Sequence, residues 1–119
     1  MAINLAIFEE ATGSSISTTE YSLTNNSTTI ATQTTKCVIE VWIDFVNMVA
    51  GDEYLVALRE KVVTGGTQRK MTIANPIGVQ DRPLVWSSSF IVGVGWDVTV
   101  QLITGSARTV TWSIRGITE

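Results

Sequence analysis

GWDVTVQLITGSARTVTWSIRG, residues 95–116, carries two runs of strict two-residue alternation around a Gly105-Ser106-Ala107 break. One side reads Trp96, Val98, Val100, Leu102 and then Val110, Trp112, Ile114; the other reads Asp97, Thr99, Gln101 and then Thr109, Thr111, Ser113, Arg115. Side chains alternate across a strand, so this pattern predicts two half-buried β-strands with one apolar face. A hairpin pairing Leu102 with Val110 also sets Val100 against Trp112 and Val98 against Ile114. It places Asp97 opposite Arg115 as a surface ion pair, and Trp96 and Trp112 in the core.

The same period recurs upstream. Cys37, Ile39, Val41, Ile43 and Phe45 alternate with Val38, Glu40, Trp42 and Asp44, and after an Ala50-Gly51-Asp52 turn Tyr54, Val56, Leu58 and Val62 share a side opposite Arg59 and Lys61. Pairing Phe45 with Tyr54 makes a second hairpin, with Glu40 opposite Arg59. Gly65-Gly66 leads to a further strand over 68–74. Asn75-Pro76 and Arg82-Pro83 bracket an irregular connection, because each proline restricts its predecessor and removes a donor. A strand over 84–92 follows, closed by Gly93 and Gly95. Residues 1–35 begin with an apolar run containing Ile3, Leu5, Ile7 and Phe8 and continue Ser/Thr-rich, as edge strands or an extended N-terminal arm. No helical period is sustained beyond one turn over 44–50. Six to nine short strands predict an all-β, antiparallel β-sandwich or jelly-roll-like single domain over 1–119, with its core in 36–119.

Composition narrows the function. A 119-residue chain that is 45% hydrophobic can bury a core without disulfide or metal staples, and only 16% charged residues suggest that part of the surface is covered by a partner. A net charge of −3 with scattered Lys and Arg lacks the basic footprint of a nucleic-acid binder. No apolar run reaches the roughly twenty residues of a membrane helix, and the N-terminus lacks the positive region of an export signal. The single Cys37 reads as a small buried hydrophobe.

The chain contains no histidine, which removes Ser-His and Cys-His nucleophile systems. Glu40 and Asp44, on one strand face, could form a glycosidase-type carboxylate pair, or simply a solvated face matched by Arg59. No zinc or calcium ligand spacing occurs, and Gly93-Val94-Gly95 has no helix behind it to cradle a phosphate. No catalytic, cofactor-binding or metal-binding residue is therefore assigned. The alternation puts Trp42 on the polar face, as an interface residue or beneath another segment, and leaves Trp86, beside Ser87-Ser88-Ser89, equally open. The interface candidates are Trp42 and Trp86 with Ile3, Leu5, Ile7 and Phe8.

Taken in order, the segment over 19–35, Glu60-Lys61-Val62, Thr67-Gln68-Arg69, Gly95-Trp96-Asp97-Val98-Thr99 and Thr111-Trp112-Ser113-Ile114-Arg115 resemble a group of small β-rich proteins encoded by tailed bacteriophages. That resemblance implies a virion structural protein, made in the host cytoplasm, that decorates the exterior of the head as a cement protein. Its implied partners are the phage major capsid protein and further copies of itself, as trimers or dimers, with no cofactor and no chemistry. Two other roles stay open: a low-copy neck, tail or fibre component, and a carbohydrate-binding module that uses exposed tryptophans as stacking platforms during adsorption.

Overall fold

A computed structural model describes residues 4–118. Nine strands follow one another: β1 (Asn4–Ile16), β2 (Tyr21–Ser22), β3 (Cys37–Asp44), β4 (Glu53–Glu60), β5 (Arg69–Ala74), β6 (Leu84–Trp86), β7 (Phe90–Val92), β8 (Asp97–Thr104) and β9 (Arg108–Thr118). They form two sheets. In the first, β1, β9 and β3 lie side by side and β6 and β7 both pair with the far edge of β3; the second has the order β2-β8-β4-β5. All pairings are antiparallel. The chain is thus a β-sandwich, as its alternation predicts.

The core lies between the sheets. Ile39, Val41, Ile43 and Ile114 of the first sheet pack with Tyr54, Val56, Val98 and Val100 of the second, all at most 1% exposed. Trp96 and Trp112 are buried in it, at 0% and 3% exposure, and so is the free thiol of Cys37, whose pKa burial raises.

Both predicted hairpins are replaced. β8 and β9 are consecutive but lie in different sheets, and so do β3 and β4; the ladders run β3 to β9 and β4 to β8. The residues facing one another across the ladders exchange as a result. Glu40 stands opposite Arg115 and Arg59 opposite Asp97, in place of Glu40 with Arg59 and Asp97 with Arg115. Period-two alternation fixes which face of each strand is buried, and both arrangements satisfy it equally, so it does not choose the neighbour. Phe45 and Tyr54 do meet, with ring centroids 5.6 Å apart, but across the sandwich and not along a ladder. Val62, expected on the apolar side of a strand, instead sits past the end of β4 at 95% exposure. The strand expected over 84–92 is two short ones separated by Ser87–Ser89. Ser87 bridges the break: its hydroxyl accepts from the Val41 N–H at 2.8 Å and its own N–H donates to the Val41 carbonyl at 2.9 Å.

Residues 4–16 form an edge strand on β9, with register shifts between Ile7 and Glu9 and between Ala11 and Ser14. The Thr-rich stretch over 17–35 has little regular structure, yet several of its backbone polar groups are paired with the sandwich. The indoles of Trp112 and Trp96 donate to the carbonyls of Leu23 and Thr35, Gln68 donates to the Ala31 carbonyl, and the Gln33 N–H donates to Trp96. A buried irregular segment needs such partners. Asp97 supplies the strongest: its fully buried carboxylate accepts from the Thr24 hydroxyl at 2.7 Å and from the Ala31 N–H at 2.9 Å.

Candidate functional site

The outer face of the first sheet is assembled by register. β3 turns Val38, Glu40, Trp42 and Asp44 outward, opposite Ile117, Arg115, Ser113 and Thr111 of β9. On the far side of β9, β1 sets Ile7 beside Arg115 and Glu10 beside Ser113. On the other flank β6 and β7 bring Leu84 to Asp44, Trp86 to Trp42 and Ile91 to Val38. In an antiparallel ladder directly opposed residues point the same way, so these side chains share one surface.

At its centre Trp42 and Trp86 pack with ring centroids 5.8 Å apart, and the Arg115 guanidinium carbon lies 4.5 Å from the Trp42 ring centroid. Arg115 also donates through Nε to the Ser113 hydroxyl at 3.1 Å. A guanidinium over an indole contributes about 0.5–1 kcal/mol at such an exposed site, enough to orient the side chain. Trp86 remains 55% exposed, and Leu84, Ile91, Ile7 and Ile117 around it are 58%, 89%, 54% and 51% exposed. The face is therefore an aromatic and cationic centre with an aliphatic surround.

Arg115 separates two shallow cavities of about 270 Å³ each. One is lined by Glu10, Trp42, Asp44, Leu84, Thr111 and Ser113, the other by Val38, Glu40, Ser89, Gly116 and Ile117. The Trp42 indole N–H is buried without an acceptor. Leaving such a donor unpaired costs about 1–3 kcal/mol. The two carboxylates weighed as an acid/base pair are held locally: Glu40 accepts from the Ser89 hydroxyl at 3.0 Å and Asp44 from the Val46 N–H at 3.0 Å. Among the described residues no group of three or more His, Cys, Asp or Glu side chains is gathered.

Of the sequence-derived candidates, Trp42, Trp86 and Ile7 come together on this surface. Leu5 and Phe8 belong to β1, of which only the backbone is described at those positions, and Ile3 lies outside the described residues. Arg115, Leu84 and Ile91 join Trp42 and Trp86 through pairing that alternation does not reveal: the sequence pattern matches Arg115 with Asp97, and the other two lie in what reads as one continuous strand.

The outer face of the second sheet is more closed. Glu20, at the end of the Thr-rich segment, reaches over β8 to the Thr99 hydroxyl and forms an ion pair with Arg59, which holds its carboxyl below the usual range.

No protein-family model matches the chain, and no curated protein does. Two solved structures do. One holds the CBM22-1 and GH10 modules of Clostridium thermocellum endo-1,4-β-D-xylanase 10B complexed with xylohexaose, at 12% identity and a TM-score of 0.42; the match covers 98% of this chain and spans only 24% of that one. The other is the CBM22-1 xylan-binding domain of Paenibacillus barcinonensis Xyn10C, at 14% identity and a TM-score of 0.42, covering 97% of this chain and 80% of that one.

Proposed function

We propose that this protein is a non-catalytic virion component of a tailed bacteriophage, a decoration protein that binds the outside of the assembled head through the outer face of its first sheet. The observation that carries the docking surface is the Trp42, Trp86 and Arg115 cluster set among exposed Leu84, Ile91, Ile7 and Ile117. Tryptophan and arginine are the residues most enriched at interface hot spots, and an aliphatic surround suits a protein partner. The sequence resemblance supplies the identity of that partner, the major capsid protein. A protein that binds the assembled lattice and not its dispersed subunits stabilises the lattice by its binding free energy, and bridging neighbouring subunits adds avidity.

The test is the copy number in purified virions, by quantitative mass spectrometry against the major capsid protein. A ratio of one or a simple fraction supports shell decoration. A handful of copies per particle assigns the protein to neck, tail or fibre, and absence from the particle refutes the virion reading.

One observation favours a second reading. The cavity beside Trp42 combines that indole with the carboxylates of Glu10 and Asp44 and the hydroxyls of Thr111 and Ser113, and the exposed Trp86 ring packs against Trp42 next to it, a combination suited to stacking and hydrogen-bonding a sugar ring. A glycan array followed by titration of tryptophan fluorescence tests it. Saturable quenching that Trp86→Ala abolishes supports it, and no response across the array refutes it.

A further inference from the structure

The two ends of the sandwich have different chemistry. At one end the loops after β3 and β5 and the β8–β9 connection meet at Asp52. Its carboxylate accepts from the N–H groups of Val49 (3.0 Å) and Ser106 (3.3 Å) and from Arg108 Nε (2.7 Å), while its carbonyl accepts from the Gly78 N–H at 2.7 Å. Gln80 adds bonds to the carbonyls of Ile77 and Gly78. Loops tied this way lose little freedom when covered. They present aliphatic groups: Val46, Val49, Ile77 and Val79 are 61%, 42%, 64% and 65% exposed. Asp44, Glu53 and Asp81 lie in or beside the same loops, against Arg82 as the cation outside the Asp52 ion pair.

At the opposite end the connection from β4 to β5 carries Val62 and Val63, 95% and 65% exposed. Lys61 precedes them and Arg69 and Lys70 open β5. The Gly93 N–H donates to Glu60, which brings the Cys37 end of β3, with Lys36 before it, to this same pole. One pole is thus an aliphatic tip where Lys36, Lys61 and Arg69 outnumber Glu60, which stands opposite Arg69, and the other is a braced aliphatic surface where Asp44, Glu53 and Asp81 outnumber Arg82.

We infer that copies of this protein associate head to tail, with Val62 and Val63 of one seated on the Val46, Val49, Ile77 and Val79 surface of the next. Lys36, Lys61 and Arg69 then face Asp44, Glu53 and Asp81 of that neighbour, so charge fixes the polarity and the aliphatic contact supplies affinity. The interface is heterologous: each copy uses one pole as donor and the other as acceptor, forming a ring if the rotation closes and a chain if it does not. The Trp42, Trp86 and Arg115 cluster of the first sheet lies along the flank and stays uncovered, and Asp44, at the end of that face, is the residue the two surfaces share. The inference is therefore independent of what that cluster binds.

Two double variants test it, Val62→Asp with Val63→Asp at the tip and Ile77→Asp with Val79→Asp at the loop pole. All four side chains are exposed, so both variants should melt within about 2 °C of wild type. By sedimentation velocity and light scattering, wild type at about 0.1 mM in low salt should be larger than a monomer, and about 0.5 M NaCl should weaken its association several-fold. Each variant alone should associate at least about 30-fold more weakly. Mixed in equal amounts they retain one intact tip and one intact loop pole, and should form a one-to-one dimer and nothing larger. A monomeric wild type under these conditions, variants that associate as wild type does, or a mixture that stays monomeric would each overturn the inference. None of these results bears on attachment to virions.

Discussion

Replacing Asp97 by Asn should detach the Thr-rich segment from the sandwich. The carboxylate is fully buried and serves three donors: Oδ1 accepts from the Thr24 hydroxyl at 2.7 Å and the Val98 N–H at 2.8 Å, and Oδ2 accepts from the Ala31 N–H at 2.9 Å. Asparagine keeps the shape but offers one acceptor atom. If its oxygen stays on Thr24 and Val98, its amide group points at the Ala31 N–H, donor against donor, in a place where Ala31 is 6% exposed and water cannot substitute. A hydrogen bond to a charged group contributes about 1.5–3 kcal/mol. Losing one and weakening two, offset in part by no longer burying a charge, gives a loss of about 3 kcal/mol. For a domain of this size that lowers Tm by roughly 10 °C. Urea titration should show a lower midpoint at unchanged slope, and hydrogen exchange should show the Ala31 amide losing protection before the core strands. A variant melting within about 1 °C of wild type with Ala31 still protected would refute the reasoning.

Three further outcomes are expected. Trp86→Ala, at a residue 55% exposed, should leave Tm within about 2 °C yet weaken binding to purified heads at least 10-fold in a co-sedimentation assay, whereas equal loss of both would make Trp86 structural. Gly105→Ala should destabilise by about 2 kcal/mol or more in thermal melts, because Gly105 has φ +102° and a Cβ there would lie 2.2 Å from Asp52 Oδ1. The Arg108 guanidinium, with the Val49 and Ser106 N–H groups, holds the Asp52 carboxyl down to about 2. A depressed folded-state pKa contributes stability that is complete above the unfolded value near 3.9 and is lost as pH falls toward about 2, so Asp52→Asn should flatten the Tm profile in that window.

The strands were legible in the sequence because two-residue alternation reports directly which side of a strand is buried. In Cys37 to Phe45 and Trp96 to Leu102 the inward positions Cys37, Ile39, Val41, Ile43, Phe45, Trp96, Val98, Val100 and Leu102 are all core. Pairing was not legible. A Gly-Ser-Ala connection serves a hairpin or an arch between sheets, and the opposite charges on four positions facing away from the core match in both combinations, Glu40 with Arg59 or Arg115 and Asp97, itself buried beneath the Thr-rich segment, with Arg115 or Arg59. What separates the two lies in the Thr-rich segment. Its donors and carbonyls require Asp97, Trp96 and Trp112 as partners, and those contacts span 61 to 89 residues of chain. Trp42 and Trp86 stood out as tryptophans in polar surroundings, but Arg115 joined them only once β9 was known to lie beside β3.

The indoles of Trp96 and Trp112 show why the first sheet, and not the second, offers the open face. Both sit in the core, and both donate to carbonyls of the segment over 17–35, which folds onto the edge of the second sheet and closes its outer side with Glu20 over Thr99 and Arg59. Among the described residues no second such segment covers the first sheet. Trp42, on that sheet's outer side, has its indole N–H buried without an acceptor, a guanidinium stacked on its ring and an exposed Trp86 beside it. A partner that covers Trp86 removes its exposed indole from water. It also removes apolar surface from water over Leu84 and Ile91, at about 25 cal/mol per Å² covered. The physical demand of this face is for an apolar surface that packs on Trp86, Leu84 and Ile91 beside the Arg115 guanidinium.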